Sequence, residues 1–111
     1  MSSDAENASQ LSSERRTKNC RASSWWPLFE SLPEKIRIIA DEAFKLFERD
    51  PGHPSLCDHP LHDNKRGRHR NGSRAVYVTK QYRAIYVIDG DTNVWYWIGT
   101  HNDYENFTGR K

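Results

Sequence analysis

From Ser31 onward the chain carries apolar residues at Ile36, Ile39, Ala40, Ala43, Phe44 and Phe47, with Glu34, Lys35, Arg37, Asp41, Glu42, Lys45 and Glu48 between them. A spacing of three and four residues predicts one amphipathic helix. Ser31 and Glu34 have the separation of a capping box, Pro33 falls in the first turn where its missing N–H does no harm, and Asp50, Pro51 and Gly52 end the run. Further on the period changes to two. Arg74 to Lys80 reads as a strand with Val76 and Val78 alternating with Tyr77. In the next run Tyr82, Ala84, Tyr86 and Ile88 fall on one side and Arg83, Ile85 and Val87 on the other. After the turn residues Asp89, Gly90 and Asp91, the alternation predicts Val94, Tyr96 and Ile98 on one face and Trp95 and Trp97 on the opposite one. The apolar stripe of the helix needs a surface, and this hairpin offers one.

The order is therefore helix first, then neighbouring short strands whose connections are too short for parallel crossovers. That pattern predicts an α+β domain: N-terminal helices packed on one side of a twisted antiparallel sheet of three to four strands. The segment His53 to Asp63 contains Pro54 and Pro60, which suit an edge strand or an extended connection. Asn64 to Arg74 reads as a loop broken by Gly67 and Gly72. Residues 1–24 are mostly polar and have too little apolar surface to offset the entropy of ordering them, so they are expected to form a disordered polar extension. Trp25 and Trp26 mark the start of a single domain over residues 25–111.

The net charge of +2 hides an uneven distribution. Lys65, Arg66, Arg68, Arg70 and Arg74 cluster against Asp58 and Asp63, and four of the five histidines lie in the same stretch. With Lys80, these cations are candidates for contact with RNA or phosphate, the alternative being a loop that needs charge to stay solvated. Cys20 and Cys57 make no disulfide framework, which points to a reducing compartment. No apolar run approaches the roughly 20 residues of a membrane span, so a soluble, cytoplasmic protein without a membrane partner is expected. His53, Cys57, His59 and His62 are crowded enough to raise the question of zinc. Their H-x3-C-x-H-x2-H spacing matches no common zinc module, and no metal or other cofactor is expected.

The runs SLPEKIRIIADEAFKLFERDPGHPSL and YRAIYVIDGDTNVWYWIGTHNDYENF, in this order, resemble small toxins of the RelE/ParE superfamily from type II toxin–antitoxin systems. The likeness spans about residues 28–107 and is sharpest at DPGHPSL, YRAIY and WIGTHNDY. It implies a pair of N-terminal helices on a twisted antiparallel sheet and a cognate antitoxin as partner. The target it implies is either the ribosome with its mRNA, which some members cleave in the A site, or DNA gyrase, which ParE members inhibit. Carried over residue by residue, it makes Arg83 the arginine that faces the scissile phosphate and places His101 and Tyr104 where such nucleases carry histidine and tyrosine. The chain departs from the common pattern in separating these two by Asn102 and Asp103, and the lysines that some members use have no clear match, Lys65 and Lys80 being the candidates.

The same residues suit metal-free RNA cleavage on chemical grounds. Attack by a 2′-hydroxyl needs a base, a cation for the crowded phosphate and an acid for the leaving 5′ oxygen. His101, with an ordinary pKa of about 6.5, suits either proton role. Arg83 offers a planar charged fork. Tyr104, three residues beyond His101, shares a face with it if the segment is helical, and can donate a hydrogen bond or stack on a base. Each has an alternative: Arg83 as a structural partner of Asp89, Asp91 or Asp103, His101 as a helix-terminal group, and Asp103 as a first-turn charge or the residue that orients His101.

Overall fold

The computed structural model describes residues 18–109. In chain order it contains β1 (Lys18–Arg21), α1 (Trp25–Glu30), α2 (Glu34–Arg49), a 3₁₀ turn (Pro54–Leu56), β2 (His59–Pro60), β3 (Ser73–Thr79), β4 (Tyr82–Asp89), β5 (Thr92–Thr100) and α3 (His101–Thr108). The strands form one sheet in the order β1-β5-β4-β3-β2. All neighbouring pairs are antiparallel except β1 with β5, which is parallel. The architecture is α+β as the sequence implies, but the sheet has five strands and is mixed.

The extra parallel strand corrects the expected boundary of the polar extension, which enters the sheet at Lys18 rather than ending at Ser24; residues 1–17 lie outside the described residues. Hydrophobicity could not reveal it, because β1 is held by polar contacts. Asn19 Oδ1 accepts from Asn93 Nδ2 at 3.1 Å and from the indole Nε1 of Trp95 at 3.0 Å. The Arg21 guanidinium sits 4.8 Å from the Trp26 ring and 4.3 Å from Phe44, a cation–π arrangement. Its backbone contribution is the short ladder Lys18 to Arg21 against Thr92 to Trp95.

α2 runs over the predicted residues and ends at Arg49 before Asp50. The capping box is not used: Pro33 is the N-cap without a side-chain bond, and Ser31 Oγ turns back to donate to Leu28 O at 2.8 Å. The reason is that Ser31 already closes the short helix α1, whose last carbonyls its backbone N–H also approaches.

α1 and α2 cover one face of the sheet, where Trp25, Phe47, Val76, Ala84, Tyr86, Trp95 and Ile98 form the main core. Phe47 meets Tyr86 and Trp95 edge-on, with centroids 5.2 and 5.0 Å away. The opposite face carries Leu61, Ala75, Ile85, Val87, Tyr96, Trp97 and Tyr104, with α3 packed over it.

The strict alternation expected for β5 fails at one point. Ile85 pairs with Trp97 and Tyr86 with Trp95, so Tyr96 is an extra residue opposite no partner. This β-bulge puts Trp95 and Ile98 on the helix-covered face and leaves Tyr96 and Trp97 together on the other. The β4–β5 connection is the two-residue turn Gly90-Asp91; Gly90 has φ +65°, the left-handed value a glycine-first hairpin turn requires. Among the described residues, no helix is long and apolar enough to cross a membrane.

Candidate active site on the α3 face

Tyr77 and Arg83 form a cross-strand pair on the face opposite α1 and α2. The Arg83 guanidinium carbon lies 3.6 Å from the centre of the Tyr77 ring. The His59 ring meets Tyr77 edge-on with centroids 6.5 Å apart. His59 Nε2 is 3.5 Å from the hydroxyl of Tyr104, and the Tyr104 ring stacks on His101 at 6.2 Å and 29°. Five side chains from four separate stretches thus make one continuous row: Arg83, Tyr77, His59, Tyr104, His101.

His59 reaches this place because the residues before it are fixed. Asp58 accepts from Arg74 Nε at 2.9 Å and from the Tyr86 hydroxyl at 2.7 Å, tying the start of β2 to both β3 and β4. The Arg74 pKa is raised: burial opposes it, and the hydrogen bond and charge of Asp58, aided by Tyr86, outweigh burial. Cys57, at φ +47°, is the one non-glycine described residue in the left-handed region, and its carbonyl stands 2.7 Å from His59 Nδ1. A carbonyl only accepts, so Nδ1 carries the proton and neutral His59 presents Nε2 as a lone pair toward Tyr104. That is the tautomer a general base needs. The 3.5 Å separation is long, as such contacts often are before substrate binds.

His101 opens α3. Thr100 caps the helix, its Oγ1 accepting from Asp103 N at 3.1 Å, so the segment 101–104 is helical as its candidate residues require. The imidazole is half exposed, and its Nε2 lies 3.4 Å from Glu105 one turn on. Tyr104 is buried at its ring and reaches the row with its hydroxyl.

Arg83 is only 6% exposed. Its Nη1 donates to the carbonyls of Thr79, Lys80 and Tyr82 at 2.9, 3.0 and 3.2 Å. The fourth carbonyl of this turn, that of Gln81, accepts from the backbone N–H of His101 at 2.7 Å. Arg83 therefore organises the β3–β4 turn to which the first residue of α3 is fastened. None of the acidic partners weighed in the sequence, Asp89, Asp91 or Asp103, is its hydrogen-bond partner; Asp91 pairs with Lys18 at 3.0 Å. The Asp91 pKa is lowered, first by the hydrogen bond from Lys18, then by that from Thr92 and by the Lys18 charge.

The basic cluster is only partly open. Arg74 is bound to Asp58, Arg68 lies 5.6 Å from the Phe107 ring and Arg70 5.7 Å from the Tyr96 ring. Loop 64–70 is itself a strap over the end of α3: Arg68 N donates to Phe107 O, Asn64 Nδ2 to Thr108 O, and Arg70 N to the Tyr96 hydroxyl. Lys65, Arg66 and Lys80 are exposed, the last in the turn beside Arg83. Of the four residues weighed for zinc, His53 Nδ1 faces Ser55 and His59 Nδ1 faces Cys57 O; among the described residues no three His, Cys, Asp or Glu side chains converge as a metal-ligand set. Sequence reasoning considered His59 only as a metal ligand, and its place in the row was not foreseen.

No protein-family model and no curated protein matches the chain by sequence. Solved structures do match its fold. YafQ from E. coli strain BL21(DE3) superposes with a TM-score of 0.62 at 14% identity, over 78% of this chain and 96% of YafQ. A YoeB/ParE toxin from Agrobacterium tumefaciens gives 0.57 at 15%, over 76% and 98%. A chain of the toxin–antitoxin complex RelBE2 from Mycobacterium tuberculosis gives 0.55 at 21%, over 76% and 96%. The chain thus has the fold shared by the RelE-, YafQ- and YoeB/ParE-type toxins, nearly complete with respect to theirs.

Proposed function

We propose that this protein is the toxin of a type II toxin–antitoxin system and acts in the cytoplasm as a metal-free, ribosome-dependent mRNA endonuclease held in check by a cognate antitoxin. The observation that carries the reading is the row in which His59, with Nδ1 bound to a carbonyl, turns Nε2 toward Tyr104 and, beyond it, His101. In this reading His59 takes the proton of the 2′-hydroxyl. The 2′ oxygen then attacks the adjacent phosphorus, the bond to the 5′ oxygen breaks, and protonated His101, supported by Glu105, returns a proton to that leaving oxygen. Tyr104 donates a hydrogen bond to the phosphate or to His59. Lys80 supplies exposed positive charge at the phosphate, and Lys65, Arg66, Arg68 and Arg70 meet the RNA backbone more peripherally. Arg83 acts through the turn it clamps, which sets the position of His101, and Arg74 acts through Asp58, which sets that of His59.

A second reading, a gyrase inhibitor or a catalytically inactive binding module of the same fold, is favoured by one fact: Arg83, the arginine expected at the phosphate, is buried and committed to carbonyls. Induced expression of the wild type and of a His59→Ala, His101→Ala double variant in bacterial cells separates the two. Growth arrest with new 5′ ends inside translated messages, both absent in the folded variant, is the expected result. Arrest without cuts points to gyrase, and cutting by the folded double variant removes the site assignment.

A further inference from the structure

On the other flank of α3 lies a second cavity, of about 440 Å³, between α3 and the α1–α2 junction. Helical spacing separates its α3 residues, Asp103, Asn106 and Phe107, from His101 and Tyr104, so the two sites share the helix without sharing side chains. Leu32, Pro33 and Tyr82 contribute one wall. Trp97 and Phe107, stacked at 5.0 Å and 17°, contribute the other. The indole of Trp97 runs across Gly99, where even a methyl group would come within 2.8 Å of the ring, so the pocket floor exists because residue 99 has no side chain. The lining includes three aromatic rings, Tyr82, Trp97 and Phe107, and carries opposite charges: Arg68 over Phe107, and Asp103, exposed and without an ion-pair partner among the described residues.

We infer that this cavity binds a guanine nucleotide of a single-stranded RNA. Aromatic walls suit any base. Asp103 chooses among them: an ionised carboxylate only accepts, and guanine alone presents two adjacent donors, N1–H and the exocyclic amine, on one edge. Adenine and cytosine place a ring acceptor beside their amine, and uracil has a single N–H. Arg68 supplies the matching charge for the nucleotide's phosphate. The inference rests on the nuclease reading for its occupant, because an RNA strand crossing the first turn of α3 would lay neighbouring nucleotides in the two sites.

The test is titration of the full chain with GMP, AMP, CMP and UMP, followed by calorimetry and by the indole N–H resonance of Trp97. GMP is expected to bind about tenfold more tightly than the other three. Asp103→Asn should abolish that preference, and Arg68→Gln should weaken all four alike. Equal affinities, or a guanine preference that survives Asp103→Asn, would overturn the site. A G-containing tetranucleotide should bind more tightly than GMP; weaker binding would overturn the RNA occupant in favour of a free nucleotide. No ribosome is needed for these measurements. Guanine preference without message cleavage therefore counts against the nuclease reading alone, and cleavage without guanine preference against the pocket alone.

Discussion

The two faces of the sheet are built from the same strands yet do opposite things. Toward α1 and α2 the strands present Ala84, Tyr86, Trp95 and Ile98, closed over by Phe47 and Trp25, and the strand polar atoms there are held by residues at the edges, Tyr86 by Asp58 and Trp95 by Asn19. Toward α3, one residue away along the same backbones, stand Tyr77, Arg83, Tyr96 and Trp97, Tyr77 beside the Arg83 guanidinium, Tyr96 beside Arg70 and Ser73, and Trp97 against Phe107. The difference teaches that burial is shared by both faces, whereas the continuous run of guanidinium, imidazole and hydroxyl contacts lies on one. Tyr86 and Tyr104 make the contrast sharp. Both are buried tyrosines. The hydroxyl of Tyr86 is spent on anchoring Asp58, while that of Tyr104 points at an imidazole lone pair.

If that division holds, substitutions on the two faces should separate stability from activity. Phe47→Ala, 1% exposed and in contact with both Tyr86 and Trp95, should cost about 3–5 kcal/mol in urea denaturation. A loss below about 1 kcal/mol would mean that this face is not the principal core. Tyr104→Phe keeps the buried ring and removes the hydroxyl that faces His59, so it should change the unfolding free energy by about 1 kcal/mol, yet slow message cleavage by at least about tenfold. Unchanged cleavage would remove the hydroxyl from the mechanism. Asn19→Ala deletes the acceptor shared by Asn93 and Trp95 and should destabilise the helix-covered face by about 1–3 kcal/mol. No change would show β1 to be dispensable. Arg83→Lys keeps the charge but loses the guanidinium whose Nη1 reaches three carbonyls; as a positioning residue it should lower kcat with little change in KM. A rise in KM alone would indicate phosphate contact instead.

The smallest effect concerns Lys18 and Asp91. Asp91 has a folded pKa below its ordinary 3.8, so its stabilisation is fully present above that value and is lost as pH falls through the folded one. Lys18→Gln should therefore lower Tm slightly at pH 7, and the gap between the two proteins should close below pH 3.8. A gap that persists in acid would trace the effect to β1 packing and not to the ion pair. Added salt should shrink it at pH 7, since both groups are largely exposed.

Much of this molecule was legible in residue order. The period of α2, the alternation of β3 and β4, the glycine-first turn and the helical spacing of His101 and Tyr104 all arise from interactions within a few residues, which local pattern encodes. The α3 row was legible only at that end. His59 sits in a Cys-Asp-His-Pro stretch whose local pattern suggested a metal ligand; its actual role depends on Asp58 finding Arg74 and Tyr86, 16 and 28 residues away. Arg83 was read as a residue aimed outward, and it turned inward because a four-residue turn supplied carbonyls at the right distances.

The sequence by itself therefore determined the elements and the α+β class, because burial of apolar stripes and the conformational limits of Pro and Gly act locally. Tertiary structure alone decided three things: that a polar segment would become β1, that Tyr96 would be the bulged residue dividing the two faces, and that His59, Tyr104 and His101 would meet. Each depends on hydrogen bonds or ring contacts between residues distant in sequence. Such contacts leave no period in the chain, and they become favourable only once packing has excluded water from around them.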